Sequence, residues 1–429
     1  MSEQKITPKG KTVSFLLPGP GNHPIGGFKI VYEFANALAD RGWQVRVVHG
    51  NCLNAEGIEA ASDWYIRRSL GVEHAPIAVD YRPDSWFKVN PNVELLWAEV
   101  PHPRYMPASD IWVATWWYTA KWAANYSGAR VYLLQSVETW GGPEADVMAT
   151  WKLPLRKVVT SRWLQEVARG LGEQAEYIPT GLDFDKFGMD VAPEERRPDT
   201  VAMLYHTAEV KRSADGLAAL CKVKARVPTL KAYLFGVYPR PSDMPDWVEY
   251  YQEPPQHVLR GIYNKTAIFI SPSRMEGWPL PPAESMQCGA ALAATDIGGH
   301  REYAHHEETA LLSPPKDPDA MAANILRLVE NRELRLRLAH KGHEEVQQHT
   351  WDRAAARFES FLEATLADPM PPERRWANLR GAMAVDPHAL RRMARSVFRV
   401  GFWHPILGVT RPVRHAIGLR QKKVLPTSK

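Results

Sequence analysis

Cysteine is scarce in this chain, and the long apolar runs of membrane proteins are missing. Cys52, Cys221 and Cys288 are the three cysteines among 429 residues. They are too few and too scattered for a disulfide framework or a zinc knuckle, so each is interpreted as a small buried hydrophobe. No stretch approaches the roughly 20 apolar residues that a membrane-spanning helix needs. The polar N-terminus, MSEQKITPKGKT, has no apolar stretch of signal-peptide length, so we expect a cytoplasmic location.

Length and charge set further limits. A chain of 429 residues is too long for one hydrophobic core, which predicts two domains. The net charge of +5 is uneven, because from Pro371 to Lys429 there are 13 Lys and Arg against Glu373 and Asp386. That segment therefore carries +11 and the remainder −6. Such a basic tail indicates an anionic surface, either membrane or nucleic acid.

The first half alternates short apolar strands with amphipathic stretches. Residues 12–17 (TVSFLL) predict a buried strand, a glycine-rich loop follows over 18–27, and apolar residues at helical spacing predict a helix over 28–41. Gly42 ends that helix, and 44–49 (QVRVVH) predicts the next strand. Strand, glycine turn, helix and strand form the opening unit of a doubly wound parallel sheet.

The same alternation restarts after a proline-rich, charged stretch at 186–198, which we interpret as a linker. We therefore predict an α/β protein in which two doubly wound, Rossmann-like domains face a cleft, with a basic C-terminal helical extension. The predicted boundaries are 1–187 and 198–350 for the two domains, 351–370 for a closing helix returning to the first domain, and 371–429 for the basic extension. Ligands of such sheets bind at the carboxyl ends of the strands.

The segment from Ser271 to Ala290, SPSRMEGWPLPPAESMQCGA, carries the most informative pattern. A strand leads through a loop into a helix, so backbone N–H groups and a helix N-terminus provide an anion site. Glu276 and Glu284 flank that site, and carboxylates hold sugar or ribose hydroxyls through charge-assisted hydrogen bonds. The alternative is an ordinary helix start, with proline in the first turn and a glutamate facing the helix dipole.

This segment resembles the donor-site signature of glycosyltransferase family 4, a retaining family with the GT-B fold, and the resemblance covers roughly residues 12–366. It implies that Glu276 contacts the donor sugar and that Glu284 holds the ribose hydroxyls. It also implies that the backbone of the loop between them lines the diphosphate and sugar. The matching residues are Glu276, Gly277, Trp278, Pro279, Leu280, Glu284, Gly298, Gly299 and Glu302.

A basic pair, Lys211 and Arg212, stands just before Ser213, which we interpret as a helix N-cap. Cations beside a helix N-terminus suit a diphosphate, and a solvated basic pair is the alternative. The family pattern here is Gly-Arg-Leu-x-x-x-Lys-Gly, whose Arg and Lys stabilise the leaving diphosphate. Lys211 matches the Lys, His206 stands where the Arg is usual, and Arg212 replaces the Gly. Whether Arg212 supplies the second charge stays open.

The loop between the first strand and the first helix contains Gly19, Gly21, Gly26 and Gly27. Glycines permit positive φ and close backbone approach. Their spacing is not the Rossmann fingerprint, and no acidic ribose reader follows the second strand, so an ordinary tight turn is the alternative. The resemblance implies that the loop touches the donor phosphate, and we assign Gly26 and Gly27 to that role. His23, in the same loop, is a further acceptor-side candidate.

The acceptor side is poorly specified. The family often has a histidine after a central strand of its N-terminal domain, whereas this chain has Thr115, Trp116 and Trp117 there. These aromatic rings either stack on sugar faces or belong to the core. Gln135 and Glu138 follow the next strand, as in the Gln-x-x-Glu pattern of bacterial polysaccharide rhamnosyltransferases. Glu138 is our candidate acid/base group, and a solvated loop carboxylate is the alternative.

The resemblance implies an enzyme that moves a hexose from a nucleoside-diphosphate sugar to a glycan or lipid-linked acceptor, with retention of anomeric configuration. Lys211, Arg212 and backbone amides are expected to stabilise the charge on the leaving oxygen. We expect no cofactor, because the family works without a metal and we identify no Asp-x-Asp pair or histidine cluster as a cation site. The alternatives are another GT-B enzyme, such as a nucleotide-sugar epimerase or a phosphorylase, and a non-enzymatic membrane-surface binder.

The basic tail contains one clear amphipathic pattern. Over residues 388–399, apolar side chains share one face and four arginines share another. An apolar, aromatic stretch continues to residue 409, and together they suit an interfacial helix on anionic lipid. A helix docked on the protein body is the alternative. Peripheral contact with the inner face of the cell membrane is thus an expectation, and nucleic acid is not expected as a partner.

Overall fold

The computed structural model describes residues 10–20, 24–50, 77–79, 86–99, 101–103, 105–139 and 141–369. His23, Cys52 and the amphipathic segment 388–409 lie outside these residues. Of the two cysteines within them, Cys288 is buried as expected, whereas Cys221 is exposed, contrary to the sequence interpretation. Among the described helices, none has the length and apolar character that crossing a bilayer requires.

An eight-stranded sheet forms the first lobe, in the order β3-β4-β2-β1-β5-β6-β7-β8. Its strands are β1 Thr12–Pro18, β2 Gln44–Gly50, β3 Ile77–Val79, β4 Val93–Ala98, β5 Ile111–Ala114, β6 Ala129–Leu134, β7 Arg156–Val159 and β8 Ala175–Tyr177. All neighbours pair in parallel except β3, which runs antiparallel to β4 at the edge. The helices are α1 Gly26–Asp40, α2 Trp117–Ala123, α3 Glu144–Thr150 and α4 Arg162–Gly170.

A six-stranded parallel sheet forms the second lobe, in the order β11-β10-β9-β12-β13-β14. Its strands are β9 Thr200–Leu204, β10 Lys231–Gly236, β11 Val248–Gln252, β12 Ile268–Ser271, β13 Ala291–Thr295 and β14 Ala310–Ser313. Its helices are α5 Ser213–Arg226, α6 Gln256–Lys265, α7 Leu280–Gln287, α8 Pro318–Glu330 and α9 Arg332–Val346. Two doubly wound sheets of this kind confirm the predicted α/β architecture.

Most element boundaries differ from the sequence expectation by one or two residues. The first helix begins at Gly26, two residues before the predicted start, so the glycine pair belongs to its first turn. Strands β3, β4, β8, β11 and β14 were not predicted. β8 consists of Ala-Glu-Tyr with no fully buried residue, so no apolar run marks it in the sequence.

The last described helix, α10 (Trp351–Ala367), packs on the first lobe although it follows the second in the chain. Phe358 of α10 is buried and stacks on Phe34 of α1 with ring centroids 4.5 Å apart. At the periphery, the Arg41 guanidinium lies 2.6 Å from the Asp352 carboxylate. The chain therefore passes between the lobes twice, once after β8 and once after α9.

These two passages lie side by side. The Leu182 N–H donates to the His349 carbonyl at 2.8 Å, and Leu182 and Thr350 form a parallel bridge. Gly181 lies against the backbone of Trp351, and a Cβ at Gly181 would lie 2.4 Å from the Trp351 nitrogen. Because backbone cannot swing aside as a flexible side chain does, only glycine fits at position 181.

We expect Gly181→Ala to destabilise the protein by about 1–3 kcal/mol, because an added methyl in a closely packed place forces backbone shifts. The midpoint of urea-induced unfolding measures the change. Gly170→Ala is the matched control, since a Cβ at Gly170, the last residue of α4, would meet nothing within 4 Å. Equal midpoints for the two variants would contradict the tight crossing.

Candidate active site

Lys211 and Glu276 form the centre of the candidate site. Lys211 follows β9 and Glu276 follows β12, and the carboxyl ends of these neighbouring parallel strands meet at one edge of the sheet. Lys211 Nζ donates to the two Glu276 carboxylate oxygens at 2.7 and 2.9 Å. Ser273 Oγ donates to Glu276 Oε1 at 2.7 Å. The structure thus joins the cation and the carboxylate that the sequence assigned to one site.

A small cavity lies beside this pair. Lys211, Ser273 and Glu276 give it polar groups, while Pro279 and Pro282 belong to its apolar wall. A concave site with a few convergent polar groups is the usual arrangement for a small-molecule ligand. The cavity is therefore the natural place for a polar ligand to meet Lys211.

His206, at the position where the family pattern has an arginine, carries a neutral ring. Burial, reinforced by the nearby Lys211 charge, lowers the pKa of His206 to about 4. The Ala208 N–H donates to His206 Nδ1 at 2.9 Å, which places the ring proton on Nε2. His206 therefore offers one neutral N–H donor where arginine would offer a charge.

Arg212 is turned away from the Lys211–Glu276 pair. It adopts a left-handed backbone, with φ of 50°, and is itself the N-cap of α5, so Ser213 is the first helical residue rather than the cap. The Arg212 guanidinium donates to both Asp215 carboxylate oxygens at 2.7 Å and to Glu209 at 3.1 Å. The structure therefore does not bring Arg212 to Glu276 as the second cation of the site.

Glu284, the second carboxylate of the signature, is buried in α7 and is held from both lobes. Lys29 Nζ, from the first turn of α1, donates to Glu284 Oε1 at 2.8 Å. The hydroxyl of Tyr263, from α6, donates to Oε2 at 3.3 Å. Lys29 was not among the residues predicted from the sequence. The available signal was a lysine two residues after the glycine pair, which a solvent-facing helix position explains equally well.

Glycines allow the two lobes to approach closely beside the Lys29–Glu284 pair. The helix α1, which opens with Gly26 and Gly27, has no side-chain cap and no acidic residue in its first turn. A Cβ at Gly27 would lie 3.3 Å from Gln135 Oε1, and a Cβ at Gly277 would lie 1.6 Å from the Gln135 carbonyl oxygen. Gln135 thus lies between Gly27 and Gly277, with its side chain against Gly27 and its backbone against Gly277 of the second lobe.

The side chains of the loop after Gly277 hold it in place. Trp278 and Leu280 are buried, and the Trp278 ring packs edge-on against Tyr303 with centroids 4.9 Å apart. The Tyr303 hydroxyl donates to the Pro279 carbonyl at 2.7 Å. Because these side chains are committed to packing, any contact of Trp278 or Leu280 with a ligand falls to the main chain.

A second contact between the lobes is built around Glu302. The Arg162 backbone N–H donates to Glu302 Oε1 and the Tyr177 hydroxyl donates to Oε2, both at 2.6 Å. Burial raises the pKa of this carboxyl. The indole of Trp163 lies against Gly298, where a Cβ would be 2.2 Å from the ring. Gly298 and Glu302, which end the sequence signature, therefore contribute to the contact between the lobes.

The predicted acceptor-side aromatics are part of the protein interior. Thr115, Trp116 and Trp117 are all buried. Thr115 Oγ1 donates to the Leu16 carbonyl at 2.7 Å, and the Trp117 ring stacks on Tyr118 with centroids 3.7 Å apart. Of the two interpretations of these aromatic residues, the structure confirms that they belong to the core. The prediction that they stack on sugar faces is wrong.

Glu138 is likewise buried rather than a solvated loop carboxylate. It has a left-handed backbone, with φ of 63°. Its Oε2 accepts hydrogen bonds from the Trp117 N–H at 2.9 Å and the Tyr132 hydroxyl at 3.3 Å. Burial outweighs these hydrogen bonds and raises the pKa of Glu138 well above its ordinary value.

The sequence does contain two Asp-x-Asp pairs that were not noted above, Asp183-Phe184-Asp185 and Asp317-Pro318-Asp319. Asp317 caps α8 by accepting the Ala320 N–H at 2.9 Å. Asp183 lies 2.5 Å from Lys186 Nζ and accepts the backbone N–H groups of Asp185 and Lys186. Within the described part of the chain, no group of three or more His, Cys, Asp or Glu is arranged to hold a metal ion. Asp183 instead caps its own turn.

Comparison with known sequences supports the resemblance. Residues 243–345, which include Glu276 and Glu284, match the family described as "Glycosyl transferases group 1". The chain is also 26% identical over 209 residues to the phosphatidyl-myo-inositol mannosyltransferase of Mycolicibacterium smegmatis. That alignment covers 46% of this chain and 53% of the relative, so the chain spans about half of the relative's length. The resemblance to glycosyltransferases is thereby confirmed.

Comparison with solved structures covers a larger share of the chain. Sucrose-phosphate synthase from Thermosynechococcus elongatus superposes with a TM-score of 0.63 at 18% identity, covering 83% of this chain and 99% of that one. The Anabaena protein HepE in complex with UDP and glucose gives a TM-score of 0.62 at 14% identity, covering 82% and 100%. At this identity the likeness shows the fold, which is GT-B.

The raised pKa of Glu138 predicts a pH dependence of stability. Its folded pKa is raised, so its contribution to stability is fully present below the unfolded pKa of about 4.5 and is lost as pH rises through the folded value. We expect Glu138→Gln, which mimics the protonated acid, to gain stability relative to the wild type between pH 5 and pH 8. Urea unfolding at the two pH values measures this gain. Glu144→Gln, at an exposed position, should show no such gain, and a parallel response of both variants would contradict the raised pKa of Glu138.

Proposed function

We propose that this chain, which has the GT-B fold and a group 1 glycosyltransferase segment, moves a hexose from a nucleoside-diphosphate sugar to a glycan or lipid-linked acceptor with retention of configuration. The observation that carries the proposal is the Lys211–Glu276 pair beside a cavity at the carboxyl ends of β9 and β12. A diphosphate needs a cation and a sugar needs hydroxyl acceptors, and the pair supplies one of each.

In the proposed reaction, the bond between the anomeric carbon and the diphosphate oxygen breaks. A bond from that carbon to the acceptor oxygen forms on the same face of the sugar, and the acceptor hydroxyl gives up its proton. Negative charge then develops on the leaving oxygen and positive charge on the sugar. Lys211 is the cation placed to stabilise the leaving oxygen. A preorganised charge in a partly buried site stabilises the transition state and so accelerates the reaction. The Nε2–H of His206 adds a neutral donor. Glu276, on releasing Lys211, is free to accept the sugar hydroxyls.

The first lobe contributes the other side of the proposed donor site. The N-terminus of α1 has neither a side-chain cap nor an acid in its first turn, so its dipole favours an anionic group. Gly26 and Gly27 then receive the diphosphate from the side opposite Lys211, and Glu284 takes the ribose hydroxyls. The similarity to a mannosyltransferase and to a protein crystallised with UDP and glucose supports a donor of this class.

Glu138 remains our candidate acid/base group on the acceptor side. It lies after β6, at the carboxyl edge of the first sheet, where ligands of doubly wound sheets bind. We propose that it takes the proton that the acceptor hydroxyl loses, and a raised pKa favours that role. The proposal includes no metal and no other cofactor.

A thermal-shift screen of UDP, GDP, ADP and dTDP tests the donor site. At a diphosphate concentration 100 times its Kd, we expect a stabilisation of about 2.7 kcal/mol. The shift should be lost in Lys211→Ala and weakened in Glu284→Ala, and EDTA should leave it unchanged. The matched control is Lys222→Ala, which removes a lysine of the same lobe that pairs with Asp319 on the surface. The proposal would be contradicted if none of the four diphosphates raised the melting temperature.

We further propose that the basic segment 388–409 holds the enzyme at the inner, cytoplasmic face of the membrane. Four arginines opposite an apolar face support this location, since basic residues attract anionic lipid and apolar side chains enter the interface. An acceptor linked to a lipid lies at that same surface. The attachment then brings the site to its acceptor.

Cosedimentation with vesicles of phosphatidylglycerol and phosphatidylcholine tests the attachment. We expect the full chain to bind, and removal of residues 371–429 to abolish binding while the diphosphate thermal shift survives. Vesicles of phosphatidylcholine alone are the control, because attraction of basic side chains requires anionic lipid. Equal sedimentation of full and shortened chains would contradict the proposal.

A further inference from the structure

The ion pair of Lys29 with Glu284 links a residue that the sequence did not single out to a signature carboxylate. Lys29 belongs to α1 of the first lobe and Glu284 to α7 of the second, and Nζ lies 2.8 Å from Oε1. The two side chains are 13% and 7% exposed. An ion pair this well covered is not a surface contact of two mobile side chains. It fixes both partners.

The surroundings of Lys29 favour its charged form. Burial lowers the pKa of Lys29, but Glu284 and the further carboxylates Glu33 and Asp183 outweigh that effect, so its pKa is raised. The ammonium also lies 5.6 Å from the centroid of the Phe187 ring, within the range of a cation–π contact. Lys29 therefore remains a cation, surrounded by acceptors from both lobes.

Glu284 depends on this cation more than on its other partner. Among the described residues, its second oxygen accepts one side-chain hydrogen bond, from the neutral hydroxyl of Tyr263 at 3.3 Å, and a buried carboxylate without a nearby cation is costly. Each carboxylate oxygen has two acceptor sites, so Lys29 and Tyr263 leave capacity for further donors. A carboxylate held in this way is ready to accept a pair of neighbouring hydroxyls.

We propose that Lys29 is a positioning residue for the donor, which holds Glu284 aimed at the ribose hydroxyls and thereby ties ribose recognition to the first lobe. The inference rests on the proposed function, in which Glu284 receives the ribose. In this arrangement, Glu284 of the second lobe recognises the ribose with the help of a positive charge from the first lobe.

The test compares a nucleoside diphosphate with its 3′-deoxy form by isothermal titration calorimetry, using whichever of UDP, GDP, ADP or dTDP binds most tightly. For the wild type we expect the 3′-deoxy form to bind about tenfold more weakly, as loss of a hydrogen bond to a charged group predicts. In Lys29→Met the two forms should bind within about twofold of each other, and Lys29→Arg should restore part of the difference.

Lys186→Met is the matched control. Lys186 belongs to the same charge cluster and lies 2.5 Å from Asp183 and 3.9 Å from Glu33, but its described ion pairs do not include Glu284. This variant should keep the wild-type preference for the 3′-hydroxyl. If Lys29→Met does not fold, Lys29→Gln, which keeps a donor without the charge, takes its place.

The outcomes separate this inference from the proposed function. If no diphosphate binds the wild type, the donor site itself is wrong. If diphosphates bind but Lys29→Met weakens the two forms equally, Lys29 acts on the phosphates or on packing, and the inference is overturned. The same holds if Lys186→Met removes the preference as fully as Lys29→Met does.

Discussion

The backbone of Gln135 and the backbone of Gly277 come so close that no side chain fits between them, and the geometry of the site depends on this contact. A Cβ at Gly277 would lie 1.6 Å from the Gln135 carbonyl oxygen, and one at Gly299 would lie 2.5 Å from the Glu276 carbonyl. Glycine therefore lets the loop that carries Glu276 lie directly on the first lobe. Only because the lobes approach this closely does Lys29 reach Glu284.

The charged groups of the site are paired before any ligand enters. Lys211 holds Glu276, and Lys29 holds Glu284. The cost of taking these charges partly out of water is met when the protein folds, so on ligand binding Lys211 would exchange one anionic partner for another. Preorganised charges of this kind need little rearrangement during a reaction. The neutral ring of His206 leaves Lys211 as the cation beside Glu276.

The sequence revealed the parts of the site that are marked by neighbouring strands and missed the parts that are set by tertiary contacts. Glu276, Glu284 and Lys211 follow or flank clear strand patterns, so the ends of parallel strands predicted their edge of the sheet. Lys29 lies in an amphipathic helix, where the sequence does not distinguish a solvated lysine from one that faces another lobe. The orientation of Arg212 was within reach, because Asp215 stands three residues later and pairs at that spacing are common. Trp116 stayed ambiguous, since aromatic residues serve core and ligand sites alike.

The side-by-side passages of the chain at Leu182 and Thr350 have a mechanical consequence. Because Leu182 N–H and the His349 carbonyl are hydrogen-bonded, the two connections behave as one short pivot instead of two independent tethers. Sliding of one lobe along the other would break that bond, whereas rotation about it would not. Opening of the cleft is therefore restricted to a swing, and the greatest displacement falls on the loops farthest from the pivot.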